Sequence, residues 1–100
     1  MKGILVYTKK EKLLHKQGKL ENDPDYSLTG DYYWALGRSP KEKNLERIYF
    51  ATEKFVRGYF LIEEINELDG TITFNAKSWK TVKPVPCKVF QGFKYYEKKD

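Results

Sequence analysis

The most regular pattern of apolar positions lies in the middle of the chain, at residues 47–65. Two apolar and aromatic runs, 47–50 and 55–65, are joined by a short polar link at 51–54. Side chains alternate between the two faces of a β-strand, and both runs follow this period of two. The pattern therefore predicts a β-hairpin as the central element of the fold.

Both strands of this hairpin carry large apolar side chains on both faces. In the first strand Ile48 and Phe50 share one face, and Tyr49 lies on the other. In the second strand the side chains expected on one face are those of Val56, Gly58, Phe60 and Ile62. Apolar groups on both faces predict strands in the middle of a sheet that is covered on each side. At Gly58 a bend is favoured over a contact with a ligand.

Four other segments predict β-strands. They are residues 3–7, 31–37, 71–75 and, after a turn, the end of 89–96. The Asp69-Gly70 turn extends the central hairpin into a meander. Segment 75–88 contains Pro84 and Pro86, which exclude a central strand, so an extended loop across one end of the sheet is expected there.

A short helix is predicted at residues 9–17, followed by a polar surface loop. Thr8 and Glu11 have the spacing of a capping box at the helix start, and Gly18 is well placed to end the helix. Two leucines would face the sheet, Leu13 and Leu14. The lysines of the helix are expected to face water.

These elements predict one domain over residues 1–100, because a chain of this length supports a single core. The order of one strand, one helix and then mostly strands predicts an α+β fold that is mostly β, a small mixed pseudo-barrel with one or two short helices. No apolar run is long enough for a membrane helix, the N-terminal apolar run is too short for a signal peptide, and the single cysteine excludes an intrachain disulfide. A cytoplasmic protein without a membrane partner is expected.

The charge of the chain is positive and unevenly distributed. The net charge is +5, and 33% of the residues are charged. Residues 1–20 hold six lysines against one acid, 21–31 hold four acids and no base, and 71–100 hold seven lysines against two acids. The balance favours an anionic partner. The two basic ends would form one cationic face if they lie together; otherwise the lysines are spread around the rim.

The sequence offers few groups for catalysis or metal binding. His15 is the only histidine and is interpreted as an exposed helix residue, while Cys87 is interpreted as structural. Glu63 and Glu64 are adjacent on a strand and should point to opposite faces. We therefore predict no catalytic residue, metal or cofactor, and a protein that is not an enzyme.

Aromatic residues make up 16% of the chain, and many are interleaved with cations. Rings can stack on unpaired bases, and cations can contact phosphates. The candidate binding residues are Tyr33, Trp34, Arg38, Lys41, Arg57, Lys77, Trp79 and Lys80. Most rings of so small a domain could instead be core: this is favoured for Trp34 and Phe60, whereas Trp79 is left between core and binding.

Three segments carry a resemblance to a known superfamily. The strand 47–50, the strand 55–60 with its central glycine, and Tyr33-Trp34 followed by Ser39-Pro40 resemble the PUA-like superfamily, in particular its ASCH and EVE domains. The resemblance implies a pseudo-barrel with a cleft that binds RNA or a modified nucleobase.

The predicted function is thus a non-catalytic module that binds RNA or a nucleotide through a basic, aromatic-lined cleft. An alternative is a protein-interaction or regulatory module, of the kind that phages and mobile elements encode, whose aromatic patch contacts a protein partner. A third interpretation is a small nucleoside hydrolase, in which Lys77 would act with Glu63 or Glu97.

Overall fold

The computed structural model of the protein describes residues 2–42 and 44–97. Its elements are β1 (Lys2–Tyr7), α1 (Lys10–Lys16), β2 (Asp31–Ala35), β3 (Arg47–Thr52), β4 (Phe55–Ile65), β5 (Thr71–Asn75), a short 3-10 helix (Ala76–Ser78), β6 (Lys80–Pro86) and β7 (Phe93–Glu97). The prediction of a mostly β, α+β fold is confirmed. Lys43 and the charged residues 98–100 lie outside the described residues.

The seven strands form one mixed sheet in the order β2-β5-β4-β3-β1-β7, with β6 added beside β4. β1 and β3 run parallel, and the other pairs are antiparallel. Within the described ranges the terminal strands β2 and β7 do not pair with each other, so the sheet is open and does not close into a barrel. Lys2 lies opposite Glu97 in the sheet, which makes the two ends of the described chain neighbours.

The predicted central hairpin is confirmed as β3 and β4. Every residue of β3 is buried. β4 pairs with β3 along one side, while β6 and β5 share its other side. The turn is shorter than the predicted link at 51–54, because β3 continues to Thr52. The turn consists of Glu53 and Lys54, whose positive φ values of 52° and 68° are those of a type I′ turn.

A β-bulge in this hairpin changes the predicted distribution of its side chains. Phe50 is opposite Gly58, but the next residue, Ala51, is opposite Val56, so Arg57 is an extra residue in β4. An extra residue reverses the alternation beyond it. The prediction that Val56 shares a face with Phe60 is therefore wrong.

The sheet has an apolar core on each face. On one face α1 and neighbouring segments cover the larger cluster, which includes Ile4, Val6, Leu13, Ile48, Phe50, Phe60, Ile72 and Phe74. On the other face a smaller cluster packs against Cys87 and Phe90, which lie between β6 and β7, and against Tyr96 of β7. Its members are Leu5, Tyr49, Ala51, Val56 and Tyr59. The expectation of a sheet covered on both sides is thus confirmed for its centre.

The predicted helix exists, but the expected capping box does not form. α1 begins at Lys10, and the side chain of its N-cap residue, Lys9, makes no capping hydrogen bond within the described residues. Thr8 instead donates its N–H to the carbonyl of Ala51, which continues the β1 side of the sheet. The end of the helix agrees with the prediction: Gly18 has φ +71° and donates to the carbonyl of His15, a contact of the Schellman motif.

Segment 80–86 is a strand rather than the predicted loop. β6 pairs antiparallel with the first half of β4. Pro84 and Pro86 are compatible with this position because β6 has a paired neighbour on one side only within the described residues. The prolines therefore correctly exclude a central strand, but not an edge strand.

Gly58 lies where the start of β6 and the residue before it approach β4 closely. A Cβ atom at this position would lie 2.4 Å from the carbonyl oxygen of Lys80 and 2.5 Å from the Trp79 ring. No side chain fits at these distances, so β6 could not pair with β4 here without displacement. The glycine is required for contact between two segments of the protein, in addition to its place beside the bulge.

We expect Gly58→Ala to lower the free energy of unfolding by about 3 kcal/mol or more, because the clash involves a backbone carbonyl and a packed ring. Chemical denaturation followed by tryptophan fluorescence would measure this. Gly37→Ala is the control: Gly37 has φ +84° but nothing within 4 Å of its Cβ position, so only backbone strain of about 1–2 kcal/mol is expected. Equal losses in the two variants would contradict the close approach at Gly58.

Candidate functional site

A cleft of about 460 Å³ lies between α1, the tip of the central hairpin and β6. We call it the α1–β6 cleft. Its apolar lining comprises Leu13, Leu14, Trp79, Val82 and Pro84, its neutral polar lining Gln17, Thr52 and Thr81, and its charged lining Lys10, Lys19, Glu53 and Arg57. The cleft combines an aromatic ring with several cations.

Trp79 is both a core residue and a wall of this cleft. The 3-10 helix before it is fixed by Asn75, whose side chain accepts the N–H of Lys77 at 2.9 Å. The Trp79 ring lies 4.9 Å from that of Phe60 and packs against the larger core cluster, yet the residue is only half-buried. Its indole N–H donates to the hydroxyl of Thr81 at 3.1 Å. The ring is thus held in a defined position at the edge of the core.

Arg57 enters the cleft because of the bulge. Its Nε donates to the carbonyl of Thr52 at 3.1 Å, and Nη2 donates to that of Glu53 at 3.4 Å. The guanidinium carbon lies 5.1 Å from the centre of the Phe55 ring, at the distance of a cation–π contact. These contacts orient the positive charge before any ligand binds.

The charged groups of the cleft are mainly positive. Lys10, Lys19 and Arg57 stand against one carboxylate, Glu53. The ammonium of Lys10 lies 3.8 Å from a carboxylate oxygen of Glu53, and both side chains are more than half exposed. A solvated pair of this kind contributes little to stability, so an anionic ligand could replace Glu53 as the partner of Lys10.

The structure brings together only two of the eight predicted binding residues, Arg57 and Trp79. Lys77 and Lys80 flank Trp79 in the chain and are exposed, but they do not line the cleft. Arg38 stacks over the ring of Phe93 at 4.8 Å. Lys41 donates its backbone N–H to the hydroxyl of Tyr95, which places it beside β7.

The remaining two, Tyr33 and Trp34, lie on β2 at the other side of α1. Trp34 is half-buried and packs edge-on against Phe50, which agrees with its interpretation as core. Lys12 lies 5.4 Å from the Trp34 ring, and Lys16 lies 4.9 Å from that of Tyr33. Burial lowers the pKa of Lys16, repulsion from Lys12 adds to this effect, and nearby aspartates oppose it.

The exposed ring of Tyr33 lies in an acidic surface depression. Tyr33 shares this depression of about 430 Å³ with Asp31, Glu63 and Glu64. The expectation that the two glutamates point to opposite faces is not met, because a second bulge shifts the register between Ile62 and Glu64. Negative charge around Tyr33 disfavours contact with phosphates.

His15 is more enclosed than predicted. Its side chain is 15% exposed and packs edge-on against Tyr32, with 5.0 Å between ring centres. Nδ1 lies 3.4 Å from a carboxylate oxygen of Asp23, close enough for an ion pair if the ring is protonated but too poorly aligned for a hydrogen bond. The prediction of an exposed helix residue is wrong, because the loop after α1 folds back over this side of the helix.

The sequence interpretation missed Lys10 and Lys19 as members of a site. Lys10 is predicted to face water from the helix and Lys19 to lie in the polar surface loop after it, and both side chains are exposed. They line the cleft because of the position of α1 relative to β6. Gln17, at the C-terminal end of α1, lines the cleft with them. The amphipathic pattern of α1 could have indicated which helix residues lie beside the sheet, but not which strand they would face.

Of the groups considered for hydrolysis, Glu97 lies far from Glu63. Lys77 follows β5, Glu63 lies in β4 beside the acidic depression, and Glu97 lies in β7, opposite Lys2 of β1. β7 is three strands away from β4, or about 14 Å at the usual strand spacing. In the part of the chain that the structure describes, no three His, Cys, Asp or Glu side chains are close enough together to hold a metal ion.

Comparison with known proteins finds no protein family, curated protein or solved structure that matches this chain. No helix within residues 2–42 and 44–97 has the length and apolar character needed to cross a membrane.

We expect Arg57→Met to lower the free energy of unfolding by about 1–2 kcal/mol, because it removes two charge-assisted hydrogen bonds to backbone carbonyls at a half-exposed position. Urea denaturation would measure the change. Lys19→Gln is the control, since this exposed side chain should alter stability by less than about 0.5 kcal/mol. An unchanged free energy of unfolding in Arg57→Met would show that the guanidinium does not stabilise the hairpin tip.

Proposed function

We propose that this chain is a non-catalytic, PUA-like module that binds RNA or a nucleotide in the α1–β6 cleft. The observation that carries the proposal is the presence of a fixed indole, Trp79, beside three cations in a cleft of about 460 Å³. The resemblance of the central hairpin to PUA-like domains supports the same function. Among the described residues, the cleft lining contains one carboxylate and neither histidine nor cysteine, which favours binding over catalysis.

The cleft supplies both kinds of contact that an unpaired nucleotide needs. A base stacked on an aromatic side chain contributes about 1–3 kcal/mol, largely irrespective of its identity. Phosphates would be attracted by Lys10, Lys19 and the oriented Arg57, while the exposed Thr81 could exchange hydrogen bonds with the base or sugar. Glu53 opposes an anion at the mouth of the cleft.

We expect a fluorescein-labelled single-stranded RNA of about eight nucleotides to bind with an affinity that falls as salt rises. Three phosphate contacts predict a slope of about −2 in a plot of log K against log salt concentration. Lys19→Gln should reduce this slope by about 0.7. Trp79→Leu, which keeps an apolar side chain against Phe60, should weaken binding roughly tenfold because the stacked base is lost. Fluorescence anisotropy would measure the salt dependence of the affinity, the change of slope in Lys19→Gln and the loss of affinity in Trp79→Leu.

Glu53→Gln provides a control that should strengthen RNA binding, whereas the other variants weaken it. It removes the one negative charge of the cleft, so it should tighten RNA binding about two- to fivefold at low salt. Circular dichroism and urea denaturation should first show that each variant is folded. Absence of binding at low salt, or binding that Trp79→Leu leaves unchanged, would contradict the proposal. Capture of a specific protein partner that persists after nuclease treatment would then favour the interaction-module alternative.

A further inference from the structure

The surface of α1 links the α1–β6 cleft to a second indole. Trp79 lies on one side of the helix and Trp34 on the other, and both rings pack against the same core cluster while remaining half-buried. Lys10 faces the cleft with Trp79, and Lys12 lies 5.4 Å from the Trp34 ring. A cation and a partly exposed ring are therefore present on each side of one short helix.

The ridge between the two indoles is positively charged. Lys10 and Lys12 are exposed in the first turn of α1 and Lys9 is exposed at its N-cap, whereas the first turn holds one acid, Glu11. A single-stranded nucleic acid needs cations along its backbone and rings at intervals for its bases. The first turn of α1, together with its two flanks, has this arrangement.

Acidic groups define the limits of this surface. Asp23 and Asp25 act on Lys16 at the end of α1, and they would repel phosphates from the last turn. Asp31 and the two glutamates of the acidic depression lie around Tyr33 and would likewise repel phosphates from it. A strand that enters the cleft thus has a favourable exit over the first turn of α1 and on to Trp34.

We infer that the ligand is a single-stranded nucleic acid of several nucleotides, which passes from the α1–β6 cleft over Lys10 and Lys12 to Trp34. This inference rests on the proposed function, because the first nucleotide occupies the cleft. The helix with its side chains is about 10–12 Å across, so the crossing needs more than one nucleotide. A total site of about four nucleotides or more is expected.

The test compares ligands of increasing length, from a nucleoside monophosphate to oligonucleotides of about two, four and eight residues. Affinity should rise by at least tenfold between the mononucleotide and the tetranucleotide and then level off. Lys12→Gln should weaken the octanucleotide about two- to fivefold and leave the mononucleotide unchanged, whereas Lys19→Gln should weaken both. Lys94→Gln, on the opposite face of the sheet, and Tyr33→Ala should change neither.

Tryptophan fluorescence gives an independent measurement. The Trp79→Phe variant has Trp34 as its single tryptophan, and its emission should be quenched by saturating octanucleotide but not by saturating mononucleotide. Equal affinity for all lengths, an unchanged Trp34 signal or no effect of Lys12→Gln would overturn the inference while leaving the cleft as a nucleotide site. If neither mononucleotide nor oligonucleotides bind, both the inference and the proposed function are wrong.

Discussion

The close approach of β6 to Gly58 is the contact on which the architecture and the candidate site both depend. β4 gives one side to β3 and divides the other between β5 and β6. β6 can pair with β4 here only because Gly58 has no side chain, which would otherwise overlap the carbonyl of Lys80 and the ring of Trp79. The same contact seats Trp79 against Phe60, at the edge of the core and at the wall of the cleft.

The bulge beside this glycine connects the scaffold to the cleft. By adding Arg57 to β4, it directs Val56 into the core of the opposite face and leaves the guanidinium where it can bond to the carbonyls at the hairpin tip. In a regular ladder Val56 would face the same way as Phe60. One irregularity thus fills a core position and places an oriented positive charge beside Trp79.

Sequence patterns predicted the central hairpin, the meander into β5, the short helix and the strands near both ends of the chain. They failed where an interaction between distant segments was decisive. The capping box does not form because the N–H of Thr8 bonds to Ala51 of β3. Segment 80–86 forms β6 instead of the predicted loop, because prolines do not show whether a free strand edge is available beside β4. For the site, the interleaving of rings and cations identified Arg57 and Trp79, but Lys10 and Lys19 could be recognised only after α1 was placed against β6.

The alternation of side chains, the Asp69-Gly70 turn and the glycine that ends α1 act over a few residues, so the sequence alone reveals the positions of most strands and of the helix. Register, sheet order and the neighbours of each charged side chain depend on competition between packing and hydrogen bonding across the whole chain. A one-residue bulge has almost no local signature, yet it reverses every side chain beyond it. Because of the bulge, the faces of β4 became evident only from the folded structure. The enclosure of His15 and the lining of the cleft depend on packing between distant segments, so they too became evident only from the folded structure.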